Sequence, residues 1–132
     1  MNNKNGSLVS PEILVVDDHA LVRAGFRILL EDIEGVEVIA ETGDGRAVLD
    51  LVESERADIV LMDVSMPGMN GIEATRLLRR NFDAQRLPII AQTAAALASE
   101  REQCLEAGMN DFVSKPIDIN RLQEVLRHWV RR

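Results

Sequence analysis

Cysteine is nearly absent from this chain. Cys104 stands alone, which excludes an internal disulfide and a cysteine-built zinc site and suits a reducing compartment such as the cytoplasm. Aromatic residues are almost as scarce: three Phe, one Trp and no Tyr, so the core must be aliphatic. No apolar run comes near the ~20 residues of a membrane-spanning helix, and the opening MNNKNGSLVS lacks the apolar stretch of a signal peptide. Positive charge is in deficit. Fifteen Lys and Arg against 22 Asp and Glu leave a formal charge of −7. That excludes wholesale binding to a nucleic-acid backbone, which needs clustered basic residues. It favours a bound cation or a partner with a basic face.

What is present suits one domain. The 132 residues are 46% hydrophobic and 28% charged, an ordinary globular composition with enough apolar mass for a core. Residues 1–10 read as a flexible tail and 11–132 as the folded unit. Apolar runs at 13–16, 36–40, 59–62, 89–91 and, more weakly, 111–113 have strand length. Between them lie helical stripes: Val22, Phe26, Leu29 and Ile33; Val48, Leu51 and Val52; Ile72, Leu77 and Leu78; a sparser Leu97, Cys104 and Leu105; and Ile119, Leu122, Val125, Leu126 and Trp129. Five strand–helix units with continuous apolar strands predict an α/β fold. Its parallel sheet would be covered on both faces. Gly35 and Gly108 follow helices one and four, where a left-handed C-cap is wanted.

Ligands of such sheets sit at the carboxyl ends of the strands. Asp17 and Asp18 follow the first strand, Asp63 the third, Gln92 and Thr93 the fourth, and Ser114, Lys115 and Pro116 the fifth. Carboxylates ~4 Å apart repel by roughly 4 kcal/mol per pair at an effective dielectric of about 20, so the three acids want a proton or a cation. An all-oxygen donor set suits Mg²⁺. A metal, the Lys115 ammonium and the Thr93 hydroxyl around a carboxylate make a phosphoryl-transfer site, with Asp as nucleophile.

The motifs ILVVDDH, DIVLMDVSMPGMNG, IIAQT and DFVSKP, in this order over most of the chain, resemble the receiver domain of two-component response regulators. The resemblance implies a flavodoxin-like doubly wound (βα)5 fold with strand order 2-1-3-4-5. It implies that Asp63 is the phosphoacceptor, taking a phosphoryl group from phosphohistidine on a sensor histidine kinase or histidine phosphotransfer protein. Asp18, Asp63 and the Ser65 backbone carbonyl would bind Mg²⁺, with Asp17 acting through water. Lys115 and Thr93 would contact the phosphoryl group, and Thr93 and Phe112 would form the switch. Output would pass to a downstream protein through the fourth helix, fifth strand and fifth helix, with Arg101, Arg121 and Arg127 exposed there. Direct nucleic-acid and membrane contacts are not expected, nor is turnover of a metabolite.

Some positions depart from common receiver patterns. Phe112 lacks the tyrosine hydroxyl often found there. Gln92 stands where an aliphatic residue is usual and needs partners if buried. Ala95 positions no attacking water. The stretch through about Phe82 resembles receivers of DNA-binding regulators, and the stretch from Leu87 resembles receivers of hybrid kinases. A mixture of two subfamilies is therefore expected, joined within 81–88. With the last stripe running nearly to Arg132, no second domain is expected. The chain reads as a stand-alone regulator or phosphorelay intermediate; the alternatives are a receiver excised from a longer regulator or hybrid kinase, or an engineered chimera.

Singly, each residue has a plainer use. Asp17 and Asp18 suit an N-cap, Asp63 a turn before Pro67 and Gly68, Thr93 the N-cap of the fourth helix, Phe112 and Cys104 the core, and His19 the rim of the site. Other functions fit less well. An aspartyl phosphohydrolase wants a second acid where Ser65 stands. A flavin binder wants a phosphate loop where Asp17 and Asp18 would repel phosphate. An adhesion-type Asp-x-Ser-x-Ser metal site meets Pro67 at its second serine.

Overall fold

The computed structural model describes residues 12–33, 35–66, 68–94 and 98–130. The expected tail, Pro67, Ala95 and Leu97 lie outside them. Five strands alternate with five helices: β1 (Glu12–Val16), α1 (Ala20–Glu31), β2 (Glu37–Thr42), α2 (Val48–Glu55), β3 (Ile59–Asp63), α3 (Gly71–Leu78), β4 (Ile89–Thr93), α4 (Ala98–Ala107), β5 (Asp111–Ser114) and α5 (Ile119–Val130). The strands form one sheet in the order β2-β1-β3-β4-β5, with every pairing parallel.

Each apolar run predicted to be a strand is one. The ladder carries β3 one residue further and β4 two, so Asp63 and Thr93 are the last residues of their strands. Strand side chains alternate between faces. Leu14, Val16, Val60, Met62, Ile89 and Ala91 pack with Val48, Val52, Ala74, Leu78 and Cys104, the side of α2, α3 and α4. Ile13, Val15, Ile59, Leu61 and Ile90 pack with Phe26, Leu30, Leu122, Val125 and Leu126, the side of α1 and α5.

The helix stripes need correction. In α1 the buried residues are Phe26 and Leu30, while Val22 and Leu29 are exposed at 37% and 36%. Apolar residues on both faces of this helix made its phase ambiguous from spacing alone. In α3 the inward face is Gly71, Ala74, Thr75 and Leu78. This helix is shaped by close approach: a Cβ on Gly71 would collide with the backbone oxygen of Asp63. In α4, Cys104 and Ala107 are buried, but Leu105 is 52% exposed.

Caps follow side-chain chemistry at α3, where the Asn70 carboxamide accepts from the Glu73 N–H at 2.9 Å and the Glu73 carboxylate accepts from the Asn70 N–H at 3.0 Å. Gly108 closes α4 with φ of 112°, and Met109 N–H donates to the Cys104 carbonyl at 3.0 Å. Gly35 is left-handed as well, at 85°, but the α1 cap is Asp32, so Gly35 serves the turn into β2.

Candidate functional site

At the carboxyl edge of the sheet, β1 delivers Asp17 and β3 delivers Asp63, buried to 0% and 1% exposure. Asp18, His19 and these two acids each offer a ligand atom within 4.8 Å of the others. Neither Asp17 nor Asp18 is the N-cap of α1. That position is held by His19, whose side chain makes no capping bond. Asp17 Oδ1 instead accepts from the His19 N–H at 2.9 Å, and the Asp17 N–H donates to the Thr42 carbonyl at 3.0 Å. The acid at the end of β1 is thus fixed by its backbone on both sides.

Lys115 enters from the turn after β5, through a cis Lys115–Pro116 peptide. Its Nζ lies 3.2 Å from Asp63 Oδ1 and 3.7 Å from Asp17 Oδ2. The Ser65 N–H also donates to Asp63 Oδ1, at 3.2 Å. One Asp63 oxygen therefore has two donors. The other, Oδ2, has no hydrogen-bond partner, and neither do Asp17 Oδ2 and Asp18 Oδ1. Burial first, and the Asp17 carboxylate second, push the Asp63 carboxyl above the ordinary carboxylate value, while Lys115 and the Ser65 N–H pull it down less. Three buried carboxylate oxygens in one pocket, without a hydrogen bond among the described residues, fit a hard divalent cation.

The Thr93 hydroxyl donates to the Glu100 carboxylate in the first turn of α4, and the Thr93 carbonyl accepts from the Lys115 N–H at 2.9 Å; the approach to α4 at 95–97, on which the expected cap depends, lies outside the described residues. Phe112 on β5 is half-buried, with the Arg101 guanidinium 5.4 Å from its ring centroid. Two adjacent α4 residues thus hold the two expected switch residues. Asp111, next to Phe112, receives Trp129 Nε1 at 2.9 Å and Arg121 at 3.3 Å, tying α5 to β5.

The structure thus brings Asp17, Asp18, Asp63 and Lys115 together, with Ser65 and Thr93 beside them and Phe112 one strand away. Sequence reasoning missed the contacts of Glu100 and Arg101, and it left His19 at the rim. Arg101 was expected only as an exposed residue of the output face, and no spacing rule points a helical carboxylate at a strand-end threonine.

Comparison with known proteins agrees with this geometry. The family model described as the response regulator receiver domain matches residues 13–127. The sensor protein GacS of Pseudomonas syringae pv. syringae is 43% identical over 124 residues, covering 91% of this chain and 13% of that protein. The nitrate/nitrite response regulator protein NarP of Escherichia coli is 37% identical over 116 residues, covering 88% of this chain and 53% of that protein. The chain therefore spans only part of these longer relatives. The receiver domain of the sensor histidine kinase PA1611 from Pseudomonas aeruginosa PAO1, solved with a magnesium ion coordinated in its active-site cleft, superposes with a TM-score of 0.82 at 37% identity. It covers 94% of this chain and 100% of that one.

Proposed function

The chain belongs to the response regulator receiver family, whose members are phosphoacceptors in two-component signalling, and from that premise we propose that its phosphoacceptor is Asp63. The observation that carries this reading is the asymmetry of the carboxylate: Oδ1 is held by Lys115 and the Ser65 N–H, while buried Oδ2 has no hydrogen-bond partner. In the proposed step, Oδ2 attacks the phosphorus of a phosphohistidine on a partner protein. The O–P bond forms as the N–P bond breaks, and the imidazole leaves with the electron pair.

Mg²⁺, held by Asp18, Asp63 and the Ser65 carbonyl, with Asp17 acting through water, would neutralise charge on the transferring phosphoryl group. Lys115 would give up part of its hold on Asp63 to contact that group. The Thr93 hydroxyl would leave Glu100 for it, and Phe112 would follow. The receiver would thus work as a signalling switch rather than as an enzyme acting on a metabolite.

The histidine-bearing partner, a sensor kinase or phosphotransfer protein, would seat on α1, which opens beside the pocket and exposes Leu21, Val22, Ile28 and Leu29. Output would pass through α4, β5 and α5, presenting Arg101, Arg121 and Arg127 to a downstream protein. Among the described residues no helix is long and apolar enough to cross a membrane, and we assign the domain to the cytoplasm.

The test is intact mass after incubation with Mg²⁺ and acetyl phosphate. One added phosphoryl group is expected in the wild type, and none without Mg²⁺ or in Asp63→Ala. Addition that persists in Asp63→Ala would overturn the assignment.

A further inference from the structure

The cluster at the carboxyl edge contains a nitrogen as well as oxygens. His19 Nδ1 lies 3.3 Å from Asp17 Oδ1 and 3.2 Å from Asp18 Oδ1. The contact with Asp17 is a ring-nitrogen hydrogen bond, while the Asp18 oxygen has none among the described residues. The ring caps nothing on α1. Its backbone is nonetheless fixed over the pocket, because the His19 N–H bonds to Asp17 Oδ1 at 2.9 Å.

We propose that His19 is a nitrogen ligand of the acid pocket through Nδ1, so that the pocket holds borderline first-row divalent cations such as Co²⁺ through a mixed imidazole–carboxylate set. This rests on reading the pocket as a cation site and adds to it a residue that sets which cation is preferred. Ligands on adjacent corners of an octahedron with bonds of about 2.1 Å stand about 3 Å apart, and opposite corners about 4.2 Å apart. The 3.2 Å contact of Nδ1 with Asp18 Oδ1 matches adjacent corners. A neutral imidazole protonated on Nε2 leaves the Nδ1 lone pair for the metal. With its side chain 64% exposed, His19 can keep that Nε2–H hydrated.

Imidazole suits the later first-row ions and gains little with Mg²⁺, which takes oxygen ligands. His19 would therefore discriminate between metals without being needed for Mg²⁺. The buried oxygens of Asp17 and Asp63 would serve either ion.

The experiment is a calorimetric titration of the wild type and His19→Ala with Co²⁺ and with Mg²⁺, alongside ¹⁵N spectra of the imidazoles. The variant removes no helix cap, and its Mg²⁺ binding reports an intact pocket. We expect Co²⁺ affinity to fall about 10-fold or more in His19→Ala, on the scale of a lost metal-orienting contact, with Mg²⁺ affinity unchanged within about twofold. Co²⁺, but not Mg²⁺, should displace one ¹⁵N imidazole signal, and that signal should be missing from the variant. Equal loss for both ions, or no loss for either, overturns the assignment of His19 while leaving the cation pocket standing. A wild type that binds neither ion overturns both.

Discussion

As the proposed phosphoacceptor Asp63 would have to be ionised to attack phosphorus, yet it lies almost wholly out of water at 1% exposure. Burial and the Asp17 charge raise its folded pKa above the ordinary carboxylate value. A carboxyl with a raised folded pKa binds protons more tightly folded than unfolded. Its favourable contribution is complete below the unfolded value, about 3.9, and fades as pH rises through the higher folded value. At neutral pH the ionised Asp63 therefore opposes folding. Asp63→Asn, measured without metal, should be more stable at pH 7 on the order of 1 kcal/mol, roughly 3–5 °C in Tm. The gain should shrink as pH falls through the raised folded value, where the wild-type carboxyl takes up its proton. Thermal melts from pH 4 to 8 check this; a variant no more stable at pH 7 would contradict it. Gln92 is a second residue at odds with its surroundings. It is fully buried, and among the described residues neither side-chain amide atom has a hydrogen-bond partner, a cost of about 1–3 kcal/mol for an unsatisfied group.

Among the elements, α4 is the weakly anchored one. Among the described residues its buried side chains are only Cys104 and Ala107, and it also grips the sheet through polar contacts, Glu100 on Thr93 and Arg101 over Phe112. An element with so small an apolar face can shift at low cost. The proposed switch residues are the ones it grips. Glu100→Ala should bias unphosphorylated protein toward the switched arrangement by about tenfold, the population equivalent of a charge-assisted hydrogen bond worth about 1.5 kcal/mol. Amide shifts of residues 98–114 in the variant should then move toward those of phosphorylated wild type; shifts that stay at the resting positions would count against the grip. The same element shows what the sequence could reveal. The three central strands were legible because their short apolar runs are buried along nearly their whole length and have strand rather than helix length. The acids and Lys115 were legible because strand ends position them. The α4 stripe was not, because it counted Leu105, which faces water. Nor were the contacts of His19 and Glu100, which depend on rotamer direction rather than on periodicity.

At the scale of the whole molecule, one guanidinium fastens the stretch through Phe82 to the stretch from Leu87. Arg79, the C-cap of α3, donates from Nε to the Gly108 carbonyl at 2.9 Å and from Nη1 to the carbonyls of Leu87 at 2.9 Å and of Phe82 and Asp83 at 3.2 Å. Its Nη2 donates to Asn110 Oδ1 at 2.9 Å, an oxygen that also accepts from the Ile89 N–H at 3.0 Å. One side chain thus ties the end of α3, the connection to β4 and the α4–β5 turn. It does so at the edge of the sheet opposite the acids, where β4 and β5 begin. GacS and NarP both align across this region. Burial lowers the pKa of Arg79 from the usual arginine value, and its acceptors are all carbonyl oxygens, so its contribution is hydrogen bonding rather than ion pairing. Arg79→Met keeps much of the stem and strips every donor. It should cost about 2–4 kcal/mol, since bonds to a charged donor are each worth about 1.5–3 kcal/mol and the carbonyls left behind are partly buried. Arg79→Lys should fall between the two, because an ammonium is a single point where the guanidinium is a planar fork. Urea midpoints of the three proteins measure this, and a loss under about 1 kcal/mol in Arg79→Met would show that sheet and core join the two stretches without it. Phosphorylation of the folded fraction should persist in both variants, because the lost contacts and Asp63 lie at opposite ends of the strands.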